Sequence, residues 1–441
     1  MLTPKIIGTF SEVLNRLPRN SRIFIGSGCA EPQELVRQLV ANASHFADAE
    51  ILHILTAGGS EYVDSRYATN FRHNAFFIGP NVRQAVAEGA ADYTPIFLSD
   101  LPRLFERKQI PLDLALIQVS PPDPHGYCSL GVSVDVVKSA AAVARFVVAQ
   151  VNPRMPRTMG DSLLHLSQLH YLLEFEEPLL EYRIPAPDEV TLQIARHVTR
   201  LITDGSTLQV GIGAISEAVL HMLETKNDLG VHTEMFSDGL VSLMQKGVVN
   251  NKQKSLHPGK SITSFVMGTR LLYDFVHNNP AVEFYPSQYT NNPVVISQNR
   301  RMVAINSALE VDLTGQVCAD SIGHRFFSGI GGQVDFIRGA ALAEGGKPII
   351  ALPATADNGK RSRIVADLTR GAGVTTTRGD VHYVVTEYGI AYLFGKSIRQ
   401  RALEMINIAH PDFRGELLEA MKKRHYVYPD QKLETIGRVY P

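Results

Sequence analysis

The sequence of 441 residues predicts an α/β protein made of two similar open domains, each with a mostly parallel sheet. Three observations lead to this prediction. Short apolar runs alternate with amphipathic segments along the chain, a proline-containing segment interrupts the alternation near residue 180, and one strand–glycine–helix pattern occurs on both sides of it. We expect the active site of such a protein to lie between its two domains.

The first half of the chain contains the clearest strand signals. Apolar runs rich in β-branched or aromatic residues predict buried strands at residues 23–25, 51–55, 76–78, 114–119 and 146–148. Amphipathic patterns predict helices between them, at residues 32–40 and 82–88. Because strands that are apolar throughout need cover on both faces, these runs favour a parallel sheet between layers of helices.

Residues 179–190 predict a linker between the two domains. Pro185 and Pro187 fix their own backbone and restrict the preceding residues to extended conformations. A new helix is expected at residues 190–202. The predicted domains are therefore an N-terminal domain of residues 1–183 and a C-terminal domain of residues 184–441.

The second half begins with a repeat of the pattern near the N-terminus. Gly211 and Gly213 correspond to Gly26 and Gly28, because each pair lies between a predicted strand and a predicted helix. The repeat favours two domains of similar build. Further strands are predicted at residues 231–235, 262–267, 302–306, 348–352 and 383–386, with helices from residue 398 onward.

Composition excludes several classes of protein. The 43 basic and 44 acidic residues give a net charge of −1, which argues against nucleic acid as a partner. Three scattered cysteines form no Cys-x-x-Cys pair, and the histidines lack metal-site spacing, so no metal is expected. Residues 1–20 lack a signal-peptide pattern and no apolar run is long enough to span a membrane. The sequence therefore predicts a cytoplasmic protein without a membrane partner.

A carboxylate in an apolar run is the strongest candidate for chemistry. Glu234 lies in residues 231–239, Val-His-Thr-Glu-Met-Phe-Ser-Asp-Gly, near the carboxyl end of a predicted interior strand. Ligands of open α/β sheets bind at that edge, and a buried carboxylate is costly unless it is paired or used. Two interpretations remain open: Glu234 is a nucleophile or general base, or it pairs with an arginine or with His232.

Two glycine turns are the second candidate. Residues 211–213 and 329–332 have the strand–glycine–helix context in which backbone N–H groups approach an anion, although tight turns need glycine without any ligand. Neither turn completes Gly-x-Gly-x-x-Gly, because Ser216 and Val334 occupy the last position. This absence disfavours a nicotinamide-dependent dehydrogenase.

The chain resembles the class I coenzyme A transferases, in the acetyl-CoA hydrolase/transferase branch. The resemblance is greatest to the 4-hydroxybutyrate CoA-transferases of that branch. It extends in order from about residue 1 to about residue 425, and its motifs are specific. They comprise Val210–Ile215, His232–Gly239, Phe327–Asp335, Val385–Ala391 and Ile408–Phe413.

The resemblance implies roles for individual residues. Glu234 corresponds to the covalent catalyst of the family, and the backbone N–H groups of Ile212 and Gly332 to oxyanion donors. Asn291 corresponds to a pocket residue. The resemblance also implies that CoA, bound as a substrate and not as a permanent cofactor, contacts Gln209, Val210, Gly211, Ile212, Gly213, Leu309 and Gly332.

The implied function is transfer of CoA from a short-chain acyl-CoA, of the 4-hydroxybutyryl or butyryl type, to a carboxylate such as acetate. The transfer would proceed through a glutamyl-CoA thioester on Glu234. The expected partners are acyl-CoA, small carboxylic acids and further copies of the chain, in a homodimer or a dimer of dimers. Two alternatives remain: an acyl-CoA hydrolase with the same nucleophile, and a non-catalytic CoA-binding protein.

Overall fold

The computed structural model describes residues 3–433 and divides the chain into two units along lines that differ from the predicted domains. Unit 1 comprises the chain up to Arg183, together with Thr233–Val241 and Lys260–Asn292. Unit 2 comprises Ile184–His232, Ser242–Gly259 and the chain from Pro293 onward. The first segment of unit 1 ends at the predicted boundary, but two later segments return to unit 1.

Backbone pairing explains why these two segments belong to unit 1. Strand Met235–Phe236 runs parallel to Phe265–Val266, and Phe265 forms an antiparallel bridge with Ser133. Strand Val282–Phe284 pairs with Ser261–Thr263 and with Met159–Gly160. The expectation that Glu234 belongs to the C-terminal domain is therefore wrong, because its segment pairs with strands of the first unit.

The centre of unit 1 is an eight-stranded sheet in which all neighbouring strands are parallel. Its interior strand Leu114–Val119 is buried along its whole length, as its apolar run predicts. The predicted strand at residues 76–78 is wrong, since the strand ends at Ala75. In spatial order the strands are Lys5–Ile6, Tyr171–Glu174, Phe146–Val151, Leu114–Val119, Arg22–Ile25, Ala49–His53, Phe71–Ala75 and Ala91–Tyr93.

Unit 1 also contains helices and short strands outside this sheet. An antiparallel pair joins Tyr127–Ser129 to Leu163–His165. One further helix, Asp238–Gln245, begins in unit 1 and ends in unit 2. The helices of unit 1 are Ser11–Leu14, Gln33–Ala41, Arg83–Ala87, Leu101–Glu106, Val137–Val143, Arg270–Val276 and Ser287–Thr290, with short 3-10 helices at Ala43–His45, Glu61–Val63, Ser65–Tyr67 and Leu166–Gln168.

The centre of unit 2 is a six-stranded sheet, parallel except for its last pair. In spatial order its strands are Gly230–Val231, Thr207–Val210, Met302–Ser307, Lys347–Ala351, Tyr383–Thr386 and Gly389–Tyr392. Smaller strands are Glu310–Asp312, Val317–Cys318, Ser321–Ile322, Arg325–Phe326, Thr355–Ala356, Arg361–Ser362 and Ile364–Val365. The helices are Glu189–Thr199, Ala214–His221, Pro293–Ser297, Gln333–Leu342, Ile398–Ile408 and Pro411–Lys423.

The two units confirm the predicted fold class, α/β with mostly parallel sheets, and each has its own apolar core. In unit 1, Phe10, Ile23 and Leu35 are among the fully buried residues of the core. In unit 2, Val311, Ile350 and Val384 have the same role. Within residues 3–433, none of the helices combines the length and the apolarity that a membrane span requires.

Candidate active site

Glu234 lies where the chain leaves one sheet and joins another. The N–H of His232 donates to the carbonyl of Leu208 in unit 2, whereas the N–H of Thr233 donates to the carbonyl of Ile262 in unit 1. The predicted strand 231–235 is therefore two strands, Gly230–Val231 and Met235–Phe236, with Glu234 between them. The prediction of one continuous interior strand is wrong because the two ends of the run pair with different partners.

The backbone of Glu234 is held firmly. Its carbonyl oxygen accepts the N–H groups of Ser264 and Phe265, at 3.0 and 3.1 Å, and the hydroxyl of Thr263 at 3.1 Å. Glu234 as a residue is partly exposed to solvent, whereas Thr233 and Met235 on either side are buried. A firmly held backbone keeps the side chain of a nucleophile in position.

Asn291 is the direct partner of this carboxyl group. Its Nδ2 donates to Glu234 Oε2 at 2.7 Å, and the Asn291 side chain is fully buried. The residue follows helix Ser287–Thr290, and its own N–H donates to the carbonyl of Ser287 at 2.9 Å. The structure thus brings together two site residues that lie far apart in the sequence.

The surroundings of Glu234 favour the protonated form. Burial raises the pKa of the Glu234 carboxyl to about 7, because desolvation disfavours the charged state. The Asn291 hydrogen bond opposes this rise, and the charge of Asp135 adds to it. A carboxylate that is poorly solvated near neutral pH is a stronger nucleophile than one that is fully hydrated.

The first glycine turn lies in unit 2, between strand Thr207–Val210 and helix Ala214–His221. Gly213 has a φ of +128°, a conformation that only glycine adopts readily. The N–H of Gly211 is engaged by the carbonyl of Ile305 at 3.1 Å. Among the hydrogen bonds of the described residues, none uses the N–H of Ile212, so the predicted oxyanion donor is available within its own unit.

The other predicted CoA contacts also belong to unit 2, where each has a different environment. The side chain of Gln209 is buried and accepts Asn306 Nδ2 at 3.0 Å, because strand Thr207–Val210 runs beside strand Met302–Ser307. The N–H of Leu309 donates to the Cys318 carbonyl. Gly332 directly precedes helix Gln333–Leu342. Their roles toward CoA stay predictions.

The sequence predictions do not include Asp135, a buried carboxyl group. It lies in the run Val132-Ser-Val-Asp-Val-Val137, and its charge acts on Glu234. A carboxylate inside an apolar run was the signal that identified Glu234, and the same criterion would have identified Asp135. In the described part of the chain, no group of three or more His, Cys, Asp or Glu side chains has an arrangement that suits a metal ion.

Comparison with known proteins identifies the family. The acetyl-CoA hydrolase/transferase N-terminal domain matches residues 3–181, and the C-terminal domain of the same name matches residues 268–421. The 4-hydroxybutyrate coenzyme A transferase of Clostridium kluyveri is 52% identical over 94% of this chain and 97% of its own length. The chain belongs to the acetyl-CoA hydrolase/transferase family.

Two further proteins are similar to this chain over nearly its whole length. The succinyl-CoA:acetate/propanoyl-CoA:succinate CoA transferase of Fasciola hepatica is 49% identical over 97% of this chain and 90% of its own length. The crystal structure of RipA from Yersinia pestis superposes with a TM-score of 0.90 at 35% identity, covering 96% of this chain and 98% of that one. Both the resemblance and the fold class predicted from the sequence are therefore confirmed.

Proposed function

We propose that this chain transfers CoA from a short-chain acyl-CoA to a free carboxylate such as acetate, through a covalent glutamyl-CoA thioester on Glu234. The relatives that are named CoA-transferases support the expected enzyme class, an acyl-CoA:carboxylate CoA-transferase. The observation that carries the covalent mechanism is the Glu234 carboxyl group itself. It is held by Asn291 at 2.7 Å, and the pKa of Glu234 is raised to about 7.

The first half-reaction moves the acyl group and then CoA onto the enzyme. A carboxylate oxygen of Glu234 attacks the thioester carbonyl, the C–S bond breaks, and CoA leaves as the thiolate, which gives an acyl-glutamyl anhydride. The thiolate then attacks the side-chain carbonyl carbon of Glu234. The donor acid leaves with one of the two former glutamate oxygens, and the glutamyl-CoA thioester remains.

The second half-reaction reverses these steps with the acceptor acid. Its carboxylate attacks the glutamyl-CoA carbonyl carbon, thiolate leaves, and the thiolate then attacks the acceptor carbonyl of the new anhydride. A new acyl-CoA is released and Glu234 returns to a carboxylate. Because one thioester is formed for each that is broken, the energy of the bond is preserved.

We propose separate tasks for the two oxygens of Glu234. Because Asn291 Nδ2 donates to Oε2, we assign the attack to Oε1. Each attack creates an oxyanion, for which we assign the N–H groups of Ile212 and Gly332 as donors. A single donor of this kind contributes about 10²–10³ in rate.

The named activities of the relatives indicate the substrate class. The Clostridium kluyveri relative is named for 4-hydroxybutyrate, and the Fasciola hepatica relative for succinyl, acetyl and propanoyl groups. We propose the 4-hydroxybutyryl and butyryl type of donor for this chain, with acetate as acceptor. Comparing kcat/KM for butyryl-CoA, 4-hydroxybutyryl-CoA and succinyl-CoA tests this choice, and a preference for succinyl-CoA would refute it.

Hydrolysis is the second candidate, because the matching family includes hydrolases by its description. Water would then replace the acceptor acid in the second half-reaction. A transferase releases acetyl-CoA only when acetate is present, whereas a hydrolase releases free CoA without acetate. The ratio of the two products with and without acetate therefore separates the candidates.

Intact-protein mass spectrometry tests the covalent step. Butyryl-CoA without acceptor should add the mass of CoA, less water, to the wild type, and peptide mapping should place it on Glu234. Glu234→Ala should show no adduct. Glu31→Gln is a matched control, because burial raises the pKa of the Glu31 carboxyl to about 7 as well, and Glu31 accepts the Gly58 N–H instead of facing Asn291.

The control should retain the adduct on Glu234, and acetate should remove it with formation of acetyl-CoA. Turnover by the wild type without any adduct, or turnover by Glu234→Ala, would refute the covalent mechanism. CoA binding without turnover of any acyl-CoA would instead indicate a non-catalytic CoA-binding protein.

The predicted assembly and location are part of the proposal. We propose a homodimer or a dimer of dimers in the cytoplasm, as the resemblance implies. Light scattering of the purified chain and fractionation of the producing cells are the corresponding measurements. A monomer that is fully active at all concentrations would refute the proposed assembly.

A further inference from the structure

Asp135 is a buried carboxyl group that receives four hydrogen bonds. Ser133 Oγ donates to its Oδ2 at 2.7 Å, and Ser27 Oγ donates to its Oδ1 at 3.2 Å. The N–H groups of Val136 and Val137 also donate to Oδ1. Only 1% of Asp135 is exposed. Four donors on two oxygens suit a carboxylate, which only accepts.

The backbone of Asp135 supports the segment that holds Glu234. The N–H groups of Val134 and Asp135 donate to the carbonyl of Ser264, at 3.0 and 3.3 Å. The N–H of Ser264 in turn donates to the carbonyl of Glu234 at 3.0 Å. One residue therefore separates the backbone of Asp135 from that of the nucleophile, and all of these residues belong to unit 1.

The same residue supports the helix that presents Asn291. The carbonyl of Asp135 accepts the N–H of Ser287 at 3.0 Å, at the beginning of helix Ser287–Thr290. The carbonyl of Ser287 accepts the N–H of Asn291, whose side chain donates to Glu234. Asp135 thus connects to Glu234 along two separate paths.

The charge of Asp135 also acts on Glu234; burial raises the pKa of Asp135 itself, and its four hydrogen bonds oppose this rise. Among the described residues, Asp135 supplies the charge that acts on Glu234, and neither carboxyl has a cation among its pKa-shifting neighbours. Two neighbouring carboxylates in a poorly solvated site repel each other. Conversion of Glu234 to an anhydride or a thioester removes its charge and hence the repulsion, while the displaced carboxylate is released to water.

We propose that Asp135 is a positioning residue for CoA transfer, which aligns Glu234 with Asn291 and whose buried charge favours the neutral glutamyl-CoA thioester over the free Glu234 carboxylate. This inference rests on the proposed function. It assigns to Asp135 an effect on the equilibrium between acyl-CoA and the covalent enzyme. A residue that only begins helix Val137–Val143 would have no such effect.

The variant Asp135→Asn removes the negative charge of the side chain but keeps its shape. The amide is isosteric, its oxygen still accepts the N–H groups of Val136 and Val137, and its NH₂ group can donate to Ser133 Oγ. Asp135→Ser is a second uncharged variant, because serine also accepts hydrogen bonds at the start of a helix. Asp312→Asn is the matched control, since Asp312 is a buried carboxyl group in unit 2 that accepts hydrogen bonds from Thr314 and Gln316.

Two measurements report on the charge. The fraction of glutamyl-CoA is measured by mass spectrometry at fixed ratios of butyryl-CoA to butyrate, at a pH where Glu234 is ionised. We expect the equilibrium constant for adduct formation to fall by about tenfold in Asp135→Asn, as for loss of one neighbouring like charge. The acid limb of the kcat/KM profile should also move to lower pH by about one unit, because the Glu234 carboxylate becomes more stable.

The outcomes distinguish this inference from the proposed function. If the wild type forms no adduct, the proposed covalent mechanism fails and this inference fails with it. If the wild type forms the adduct but both Asp135 variants retain its equilibrium constant and acid limb, only this inference is refuted. If neither Asp135 variant folds while Asp312→Asn does, Asp135 is a structural residue and the inference is also refuted.

Discussion

Replacement of Asn291 by alanine removes the hydrogen bond that stabilises the ionised Glu234. The bond is 2.7 Å long and its donor is fully buried. A hydrogen bond to a charged group contributes about 1.5–3 kcal/mol, and one pKa unit corresponds to about 1.4 kcal/mol. The pKa of Glu234 is about 7 in the native chain, and we expect it to rise by about one to two units in Asn291→Ala.

The kinetic consequence has a definite sign. Attack on the thioester requires the carboxylate, so a higher pKa lowers the reactive fraction at neutral pH. We expect kcat/KM for butyryl-CoA, with acetate as acceptor, to fall by about tenfold or more at pH 7 and to recover substantially near pH 9. The assay is the profile of kcat/KM from about pH 5.5 to 9.5, with the acid limb fitted for each variant.

A control separates this effect from general destabilisation. Asn299 is also fully buried, and its side chain donates to the carbonyl of Ile296 in unit 2. Asn299→Ala should lower stability without moving the acid limb. If the acid limb of the Asn291→Ala profile stays in place or moves to lower pH, Asn291 is not the partner that stabilises the ionised form of Glu234.

Three further predictions concern stability. Burial lowers the pKa of His73 to about 4, so the unfolded chain binds more protons between about pH 6.5 and 4. Protonation of His73 alone should lower the free energy of unfolding, measured with urea, by about 3 kcal/mol over this range, and an equal pH-dependent loss in His73→Gln would contradict this. Gly213→Ala should lower the free energy of unfolding by about 1–3 kcal/mol because of the φ of +128°. Gly415→Ala, in a helix with open space around the residue, should instead raise it by up to about 1 kcal/mol. An unchanged free energy of unfolding in Gly213→Ala would contradict the strain argument. Asp188→Ala removes a helix N-cap that accepts the Thr191 N–H at 2.8 Å and should lower the free energy of unfolding by about 1 kcal/mol, with an unchanged Tm as the contrary result.

Local patterns determined much of the fold from the sequence alone. The run at residues 114–119, apolar except for Gln118, forms the buried strand Leu114–Val119, because a mostly apolar run is stable only where both faces are covered. The glycine pair at 211 and 213 lies between a strand and a helix as predicted, since few other residues adopt the backbone conformation of Gly213. The family motifs could also be recognised from the sequence, because each is a contiguous segment of residues.

The choice of pairing partner was decided by the tertiary structure. Residues 231–235 have the composition of one strand, yet the chain divides at Glu234, because His232 bonds to Leu208 and Thr233 to Ile262. Nothing local distinguishes these two partners, which lie far from the run in opposite directions along the chain. The assignment of Glu234 to the C-terminal domain was wrong for that reason.

The electrostatics of the site depend on the same long-range contacts. The sequence determined that a carboxylate at position 234 is costly within apolar surroundings, and so marked it for chemistry. Only the folded chain supplies Asn291 and Asp135 as the groups that lower and raise the pKa of Glu234. Desolvation and Coulomb interactions depend on distances in space, and these distances are not a property of any local stretch of the sequence.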